Sequence, residues 1–184
     1  MPTILETERL VLREWAAEDV DVLFKMCSDA ETMRHIGDGK AWQDAERARL
    51  WLARVGASYV ERGYGPWAVV EKATGKVVGS CGFSFIAALA EIDFGYVFAR
   101  EYWGRGFATE AARAAFRDGF ERLGFEEVTA NVDVEHAASR RILEKLGFEY
   151  RGPRRYEGDE ADSAFYTAKR PLDGAGSATS EASC

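Results

Sequence analysis

Hydrophobic positions along the chain follow two spacings, one typical of strands and one typical of helices. A run of β-type residues over 7–15 predicts a first strand. Apolar residues at helical spacing then predict a short helix from Asp19 to about Ser28 and a longer helix from Asp44 to about Gly63. We expect the two aspartates to cap these helices.

The rest of the chain predicts mostly strands, interrupted by two helices. Strands are expected at 67–72, 76–85, 92–98, 127–134, 149–156 and 163–170, and helices at 108–123 and 136–146. Thr74-Gly75 predicts a tight hairpin, and Gly147 is a typical residue after a helix end. The order predicts a mixed α/β (α+β) domain over 1–170. Residues 171–184 are rich in Gly, Ala and Ser without periodicity, which predicts a disordered tail.

Composition narrows the class of protein. The chain has 184 residues, with 24 Lys and Arg against 31 Asp and Glu and a net charge of −7. This balance argues against general binding to a nucleic-acid backbone, so no nucleic-acid partner is expected. No run of 18 apolar residues occurs, so no membrane span is expected. Charged residues over 1–12 replace the apolar stretch of a signal peptide, which favours a cytoplasmic protein.

Cysteines and histidines offer little for a metal site. Cys27, Cys81 and Cys184 form no C-x-x-C pair, so neither a disulfide framework nor structural zinc is expected. Only two histidines, His35 and His136, are present. The sequence therefore predicts no bound metal.

A glycine turn between a strand and a helix carries the first chemical signal. Small residues stand at Gly104, Gly106 and Ala108, just where the helix is expected to begin. Such a turn lets the backbone approach a ligand, and the free amides of the first helical turn attract an anion. Arg100 and Arg105 would add positive charge. The spacing fits neither a P-loop nor a dinucleotide fingerprint, and a turn that only eases packing is the alternative interpretation.

A second motif, at 136–148, reads HAASRRILEKLGF. Together with the turn at 103–110 it resembles the GNAT superfamily of acetyl-coenzyme A-dependent N-acetyltransferases. The likeness is closest to the branch of ribosomal-protein N-terminal acetyltransferases. The opening TERLVLR at 7–13, the Gly65-Pro66-Trp67 strand entry and the Gly95-Tyr96 pair also resemble that branch. The resemblance covers about residues 5–170.

The resemblance implies a mostly antiparallel sheet with a splayed central strand pair and flanking helices. It implies acetyl-CoA as co-substrate, with its pantetheine arm in the gap between the splayed strands. His136 stands where the family often has Asn, and Arg140 and Arg141 would either reach the 3′-phosphate or form a solvated helix face. The cofactor contacts implied along the strand and loop are Tyr96, Val97 and Phe98 for the arm, and Trp103, Gly104, Arg105, Gly106, Phe107 and Ala108 for the pyrophosphate.

Two positions differ from the family pattern in chemistry. Trp103 replaces a frequent Gln or Arg, which removes a side-chain donor but leaves the backbone cradle. Leu143 replaces the Tyr that serves some members as general acid, so the role must move elsewhere. Ser139 is the expected proton donor to the leaving thiolate, since the resembling branch has serine there. A helix serine bonded back to a carbonyl is the alternative.

Candidates for the base and the acceptor site come from the central strand and the aromatics. Asp93 matches the family's frequent carboxylate base, and Glu91 shares its strand face as a substrate-binding candidate. Solvent exposure of both carboxylates is the alternative. Glu14 and Asp133 are weaker base candidates. Trp67 is the expected aromatic wall of the acceptor site.

The leading hypothesis is an enzyme that moves an acetyl group from acetyl-CoA to a primary amine by direct attack. The acceptor is either a protein N-terminus or a small amine such as an amino acid, polyamine or aminoglycoside. A catalytically silent acyl-CoA-binding sensor or scaffold is the rival hypothesis. Family analogy alone suggests a homodimer.

Overall fold

Eight strands form one sheet in a computed structural model that describes residues 3–155 and 161–170. In chain order, strands β1 to β8 are Thr3–Glu6, Leu10–Arg13, Pro66–Glu71, Val77–Ile86, Glu91–Phe98, Glu127–Asp133, Glu149–Arg154 and Ser163–Lys169. Helices α1 to α5 are Val20–Cys27, Ala30–Met33, Ala45–Arg62, Phe107–Glu121 and Ala137–Leu146. The predicted tail at 171–184 and the end of the predicted strand at Tyr156 lie outside the described residues.

The sheet runs in the order β1-β2-β3-β4-β5-β6-β8-β7. Every neighbouring pair is antiparallel except β5 and β6, which run parallel. These two strands share a single registered pair, Asp93 with Thr129. Beyond that pair the strands separate toward their carboxyl ends. The mostly antiparallel sheet with a splayed central pair is confirmed, and the splay leaves a gap in the middle of the molecule.

Helices cover both faces of the sheet. Trp67 and Val69 on β3 pack into the cluster that includes the inner face of α4. Ala68, between them, points to the opposite face and packs with the cluster of α1 and α3. This alternation is what a strand buried on both faces requires. No helix in the described ranges combines the length and the apolar character needed to cross a bilayer.

Local sequence signals explain most element boundaries. Asp44 begins α3 as predicted, because its carboxylate accepts the amide of Arg47 at 3.2 Å. Gly63 ends that helix in the left-handed conformation at φ 76°. Asp19 differs from the prediction, since its carboxylate does not cap α1. It binds the Arg13 guanidinium at 2.7 and 2.9 Å instead.

Candidate active site

Two adjoining cavities occupy the gap between β5 and β6. The larger, here the loop cavity, has a volume of about 560 Å³ and reaches the glycine turn at Gly104 and Gly106. The smaller, here the inner cavity, has a volume of about 300 Å³ and lies beside Asp93. The residues that line both cavities, and so form their junction, are His35, Ile36, Tyr96, Val97, His136 and Ser139.

The glycine turn builds one end of the loop cavity from backbone. Gly104 and Gly106 have φ of 72° and 80°, a conformation that side chains disfavour. The first hydrogen bond within α4 joins the Glu110 amide to the Gly106 carbonyl at 3.1 Å. The amides of 107–109 therefore have no partner within the helix. A 15-residue helix with open amides at this end provides a site for an anion.

The N-terminal segment braces this turn. The Glu110 carboxylate accepts the Thr7 hydroxyl at 2.6 Å and the Arg9 amide at 2.9 Å, and it pairs with the Arg9 guanidinium at 2.6 Å. Arg9 also donates to the Arg105 carbonyl at 2.9 Å. Burial opposes ionisation of Glu110, but these hydrogen bonds outweigh it and lower the pKa of its carboxyl group. The turn is thus fixed by residues about a hundred positions earlier in the chain.

Strand β5 turns alternate amides toward the gap. The Ala99 amide donates to Val78 on β4 at 3.0 Å, and the β4–β5 register runs without a shift. Since amides alternate between the two sides of a strand, the Val97 amide also faces β4. The amides of Tyr96 and Phe98 face the gap instead. Of the three residues predicted to contact the pantetheine arm, Tyr96 and Phe98 therefore turn their amides toward the gap, and Val97 does not.

Two predicted cofactor residues contribute differently from what their side chains suggested. The Trp103 indole donates to the Phe98 carbonyl at 2.7 Å, so it fixes the end of β5. The Arg105 guanidinium is held by Glu71 at 2.8 Å and lies over the Phe107 ring. Arg105 therefore offers its backbone to the turn, while its side chain stabilises the loop from behind.

Asp93 lies in the inner cavity at the point where β5 and β6 part. Its carboxylate accepts the Asn131 amide at 2.9 Å and the Thr129 hydroxyl at 3.5 Å. Burial raises the pKa of Asp93 to about 7, against the lowering effect of these hydrogen bonds. A carboxyl group that titrates near neutral pH is suited to exchange protons with a substrate.

Ser139 and Tyr96 form a hydroxyl pair across the gap. Their oxygen atoms lie 2.9 Å apart at the junction, where α5 approaches β5. Burial raises the pKa of Tyr96. Leu143, one turn further along α5, is buried in the wall of the inner cavity and cannot move a proton. The junction therefore offers a proton donor at Ser139, backed by a tyrosine hydroxyl.

Neither cavity is lined by Arg105, nor by three further predicted site residues, Trp67, Glu91 and Arg140. Trp67 is 1% exposed and packs edge-on against Phe83 in the core, so its placement in the acceptor wall is corrected. Glu91 is bound by Arg154 through hydrogen bonds of 2.6 and 2.9 Å. Arg140 donates to the Tyr166 hydroxyl at 2.9 Å. Their positions on a strand or helix predicted that they lie near the gap. Their side chains instead contact Phe83 on β4, Arg154 on β7 and Tyr166 on β8.

The sequence did not indicate His35 as a site residue. Its Nδ1 lies 2.7 Å from the Asp133 carboxylate, and its ring stacks on His136 with centroids 4.4 Å apart. Burial and the nearby His35 lower the pKa of His136. His35 belongs to the loop after α2, whereas Asp133 ends β6, so no local spacing links the two. Trp42 and Trp51 form the aromatic wall of the inner cavity.

Neither cysteine of the described chain is suited to act as a nucleophile. Cys27 and Cys81 are both buried, and burial raises the pKa of Cys27 to about 12 and that of Cys81 further. Over 3–155 and 161–170, no group of three or more His, Cys, Asp or Glu side chains is placed to hold a metal ion.

We therefore expect both thiols to resist modification in the native protein. In a Cys184→Ser variant, which keeps only Cys27 and Cys81, a chromogenic disulfide reagent at pH 8 should label neither thiol on the time scale of free cysteine. Unfolding in guanidinium should release both. Rapid labelling of the folded variant would show that one thiol is exposed and ionised, contrary to the structure.

Comparison with known proteins agrees with this architecture. Residues 9–149 match the family model described as the acetyltransferase (GNAT) domain. The chain is 32% identical over 149 residues to the uncharacterized N-acetyltransferase p20 of Bacillus licheniformis, covering 80% of this chain and 83% of that protein. With its splayed strands and glycine turn, the chain belongs to the GNAT acetyltransferase family, whose co-substrate is acetyl-CoA.

Solved structures share the fold. A GNAT-family acetyltransferase from Bacillus anthracis superimposes with a TM-score of 0.76 at 24% identity, covering 90% of this chain and 98% of that one. RimL, a ribosomal alpha-N-protein acetyltransferase in complex with coenzyme A, superimposes with a TM-score of 0.77 at 16% identity, covering 91% and 98%. The chain is an N-acetyltransferase by family, and the expected fold is confirmed.

Proposed function

We propose that this enzyme transfers the acetyl group of acetyl-CoA directly to a primary amine carried on a compact apolar body. The observation that carries the proposal is the junction of the two cavities. One cavity ends at open helix amides suited to a diphosphate, and the other holds Asp93 among aromatic and aliphatic side chains. A thioester at the junction faces an amine in the inner cavity.

The loop cavity fits coenzyme A in shape and chemistry. The free amides at the start of α4 and the positive-φ glycines suit the pyrophosphate. The gap-facing amide of Phe98 suits the pantetheine arm, which would take the place of a missing strand. His136 lies beside this path as a neutral ring, because its pKa is lowered. The Arg140 guanidinium donates a hydrogen bond to the Tyr166 hydroxyl, so we do not assign Arg140 to the cofactor site.

The protein assists three steps of the transfer. Asp93 accepts a proton from the incoming ammonium, which frees the nitrogen lone pair. The Tyr96 amide, which faces the gap at the junction, donates to the thioester oxygen as negative charge develops there. The Ser139 hydroxyl then gives a proton to the leaving sulfur and recovers one from solvent, and the Tyr96 hydroxyl, 2.9 Å away, stabilises the Ser139 oxygen in between. Holding both substrates at the junction adds the advantage of approximation.

The inner cavity limits the charge and size of the acceptor. Among the described residues that line it, Asp93 is the single carboxylate, and Leu23, Met33, Trp42 and Trp51 supply apolar surface. A second ammonium group would be buried there without a partner, at a high desolvation cost. A volume of 300 Å³ corresponds to the volume of about ten water molecules. This space is enough for a small amine or for the first residue of a peptide. Polyamines and aminoglycosides are therefore disfavoured.

Thiol release from acetyl-CoA tests this proposal. We expect turnover with hexylamine and with a peptide that has a free apolar N-terminal residue, and at least about tenfold lower kcat/KM with hexanediamine, because its second charge costs at least about 1.4 kcal/mol to bury. Calorimetry of acetyl-CoA binding is the parallel measurement. Binding without turnover on any amine would favour a silent acyl-CoA-binding module. Equal turnover of the monoamine and the diamine would contradict the acceptor class.

A further inference from the structure

A histidine–carboxylate pair stands at the junction of the two cavities. His35 Nδ1 lies 2.7 Å from Asp133 Oδ2, and the histidine side chain is 18% exposed. The His35 ring is stacked on His136, which fixes its plane. His35 lines both the loop cavity and the inner cavity. It therefore lies where a thioester and an amine would meet.

The carboxylate decides which nitrogen of His35 is basic. Burial opposes ionisation of Asp133, but hydrogen bonds from His35 and from the Glu135 amide outweigh it and lower its pKa. An ionised carboxylate can only accept a hydrogen bond, so Nδ1 of a neutral His35 carries the proton. Its Nε2 then holds the lone pair. The same orientation, with a carboxylate on one nitrogen and a lone pair on the other, makes histidine a base in other enzymes.

The reaction gives this base a proton to accept. An ammonium loses two protons on its way to an amide, and Asp93 in the inner cavity accepts the first. The second leaves when the N–C bond forms, because the nitrogen then becomes positively charged. At that moment the nitrogen lies at the junction, next to His35.

We infer that His35, oriented by Asp133, accepts the proton that the nitrogen gives up as it bonds to the acetyl carbon. The inference rests on the acetyl transfer proposed above. As the N–C bond forms and the proton passes to Nε2, the C–S bond breaks and its electron pair leaves with the sulfur. The sulfur is protonated to the thiol. Of the two protons lost by the ammonium, one is balanced by the thiol and the other goes to solvent.

Charged groups around the pair come from three elements. Asp133 ends β6, and His136 precedes α5 and stays neutral near pH 7 because burial lowers its pKa. Glu31 and Arg34, from α2 and the residue after it, line the same loop cavity. Asp133 is thus the carboxylate in contact with the imidazole. A purely structural role for the pair, as a brace between the α2 loop and β6, is the competing explanation.

Steady-state kinetics on the full chain separate these explanations. His35→Ala should lower kcat by about a hundredfold or more while the KM for acetyl-CoA stays unchanged, and added imidazole should restore part of the rate. Asp133→Asn should lower kcat by at least about tenfold, and Asp133→Glu should retain more activity than the asparagine variant. Asp38→Asn, which removes an exposed carboxylate from the same loop, is the matched control and should behave as wild type.

An amine that is already neutral at the assay pH, such as trifluoroethylamine, separates the two proton transfers, because it loses a proton only when the N–C bond forms. Asp93→Asn should cost little with this acceptor, whereas the loss in His35→Ala should persist. A kcat for His35→Ala close to wild type, a defect confined to the KM for acetyl-CoA, or no rescue by imidazole would overturn the role of His35. Absence of turnover by the wild-type enzyme on every amine would overturn the acetyl transfer itself.

Discussion

Replacing Asp93 by asparagine is expected to lower kcat/KM by about 10²–10⁴-fold with an amine that is protonated at neutral pH. Asparagine keeps the shape of the side chain and can still accept from Asn131, but it cannot take a proton. For the wild type, kcat/KM should fall as the pH drops below about 7, because Asp93 is then protonated and no longer a base. The measurement is a pH profile of kcat/KM for both proteins. The variant should lose the inflection that Asp93 contributes near pH 7, and its kcat/KM should instead rise with the free-base fraction of the amine.

Stability provides the control for this variant. The pKa of Asp93 is raised in the folded protein from an ordinary value of 3.8 to about 7, so ionisation between these values favours the unfolded chain. Asp93→Asn should therefore raise the free energy of unfolding at pH 8, and this gain should vanish near pH 4. Asp162→Asn, at an exposed ion pair with Arg155, should change neither quantity. A less active variant that is also less stable at pH 8 would contradict the assignment.

Replacing Gly106 by leucine is expected to weaken coenzyme A binding by at least about a hundredfold, or ~2.8 kcal/mol. An ideal Cβ at this position meets only the tip of the Arg9 side chain, at 3.4 Å, so the protein itself leaves room for it. The added side chain would occupy the space in front of the open amides of α4. Calorimetry with coenzyme A measures the loss, and it requires no acceptor amine.

The backbone strain of this substitution needs a matched control. Gly106 has φ 80°, where a leucine costs about 1–2 kcal/mol of folding energy. Gly63, at the end of α3, has φ 76° and equally open surroundings, and it lines neither cavity. Gly63→Leu should lose similar stability and keep its affinity for coenzyme A. Unchanged affinity in Gly106→Leu would show that the turn does not hold the diphosphate.

Sequence patterns predicted the elements that depend on local chemistry. The caps of α3, at Asp44 and Gly63, were predicted because a cap is decided by neighbours within four residues. The strand–glycine turn–helix unit around Gly106 was predicted for the same reason, and the family resemblance indicated that it binds the cofactor pyrophosphate. Strand β1 was missed, since a four-residue strand at an edge has little hydrophobic pattern.

Side-chain partners far apart in the chain could not be predicted. Strand alternation put Glu91 beside Asp93, but it could not show that Arg154 binds Glu91 on the sheet surface. The aromatic character of Trp67 suggested a pocket wall, whereas the two-sided burial of β3 places it in the core. His35 and Asp133 are 98 residues apart and meet only because the α2 loop folds over the end of β6. Such contacts are properties of the tertiary structure.

The contact between Arg9 and Glu110 constrains the order in which parts of this enzyme fold during synthesis. On the ribosome the second strand emerges before α4, so the ion pair of Arg9 with Glu110 can form only after residue 110 has left the exit tunnel. Contacts of such long sequence separation form late, because closing the intervening loop costs conformational entropy before the contact can stabilise the chain. The cradle at Gly106 is therefore finished only after the first and second halves of the sheet have met. A nascent chain stalled before that point has a diphosphate loop without its brace.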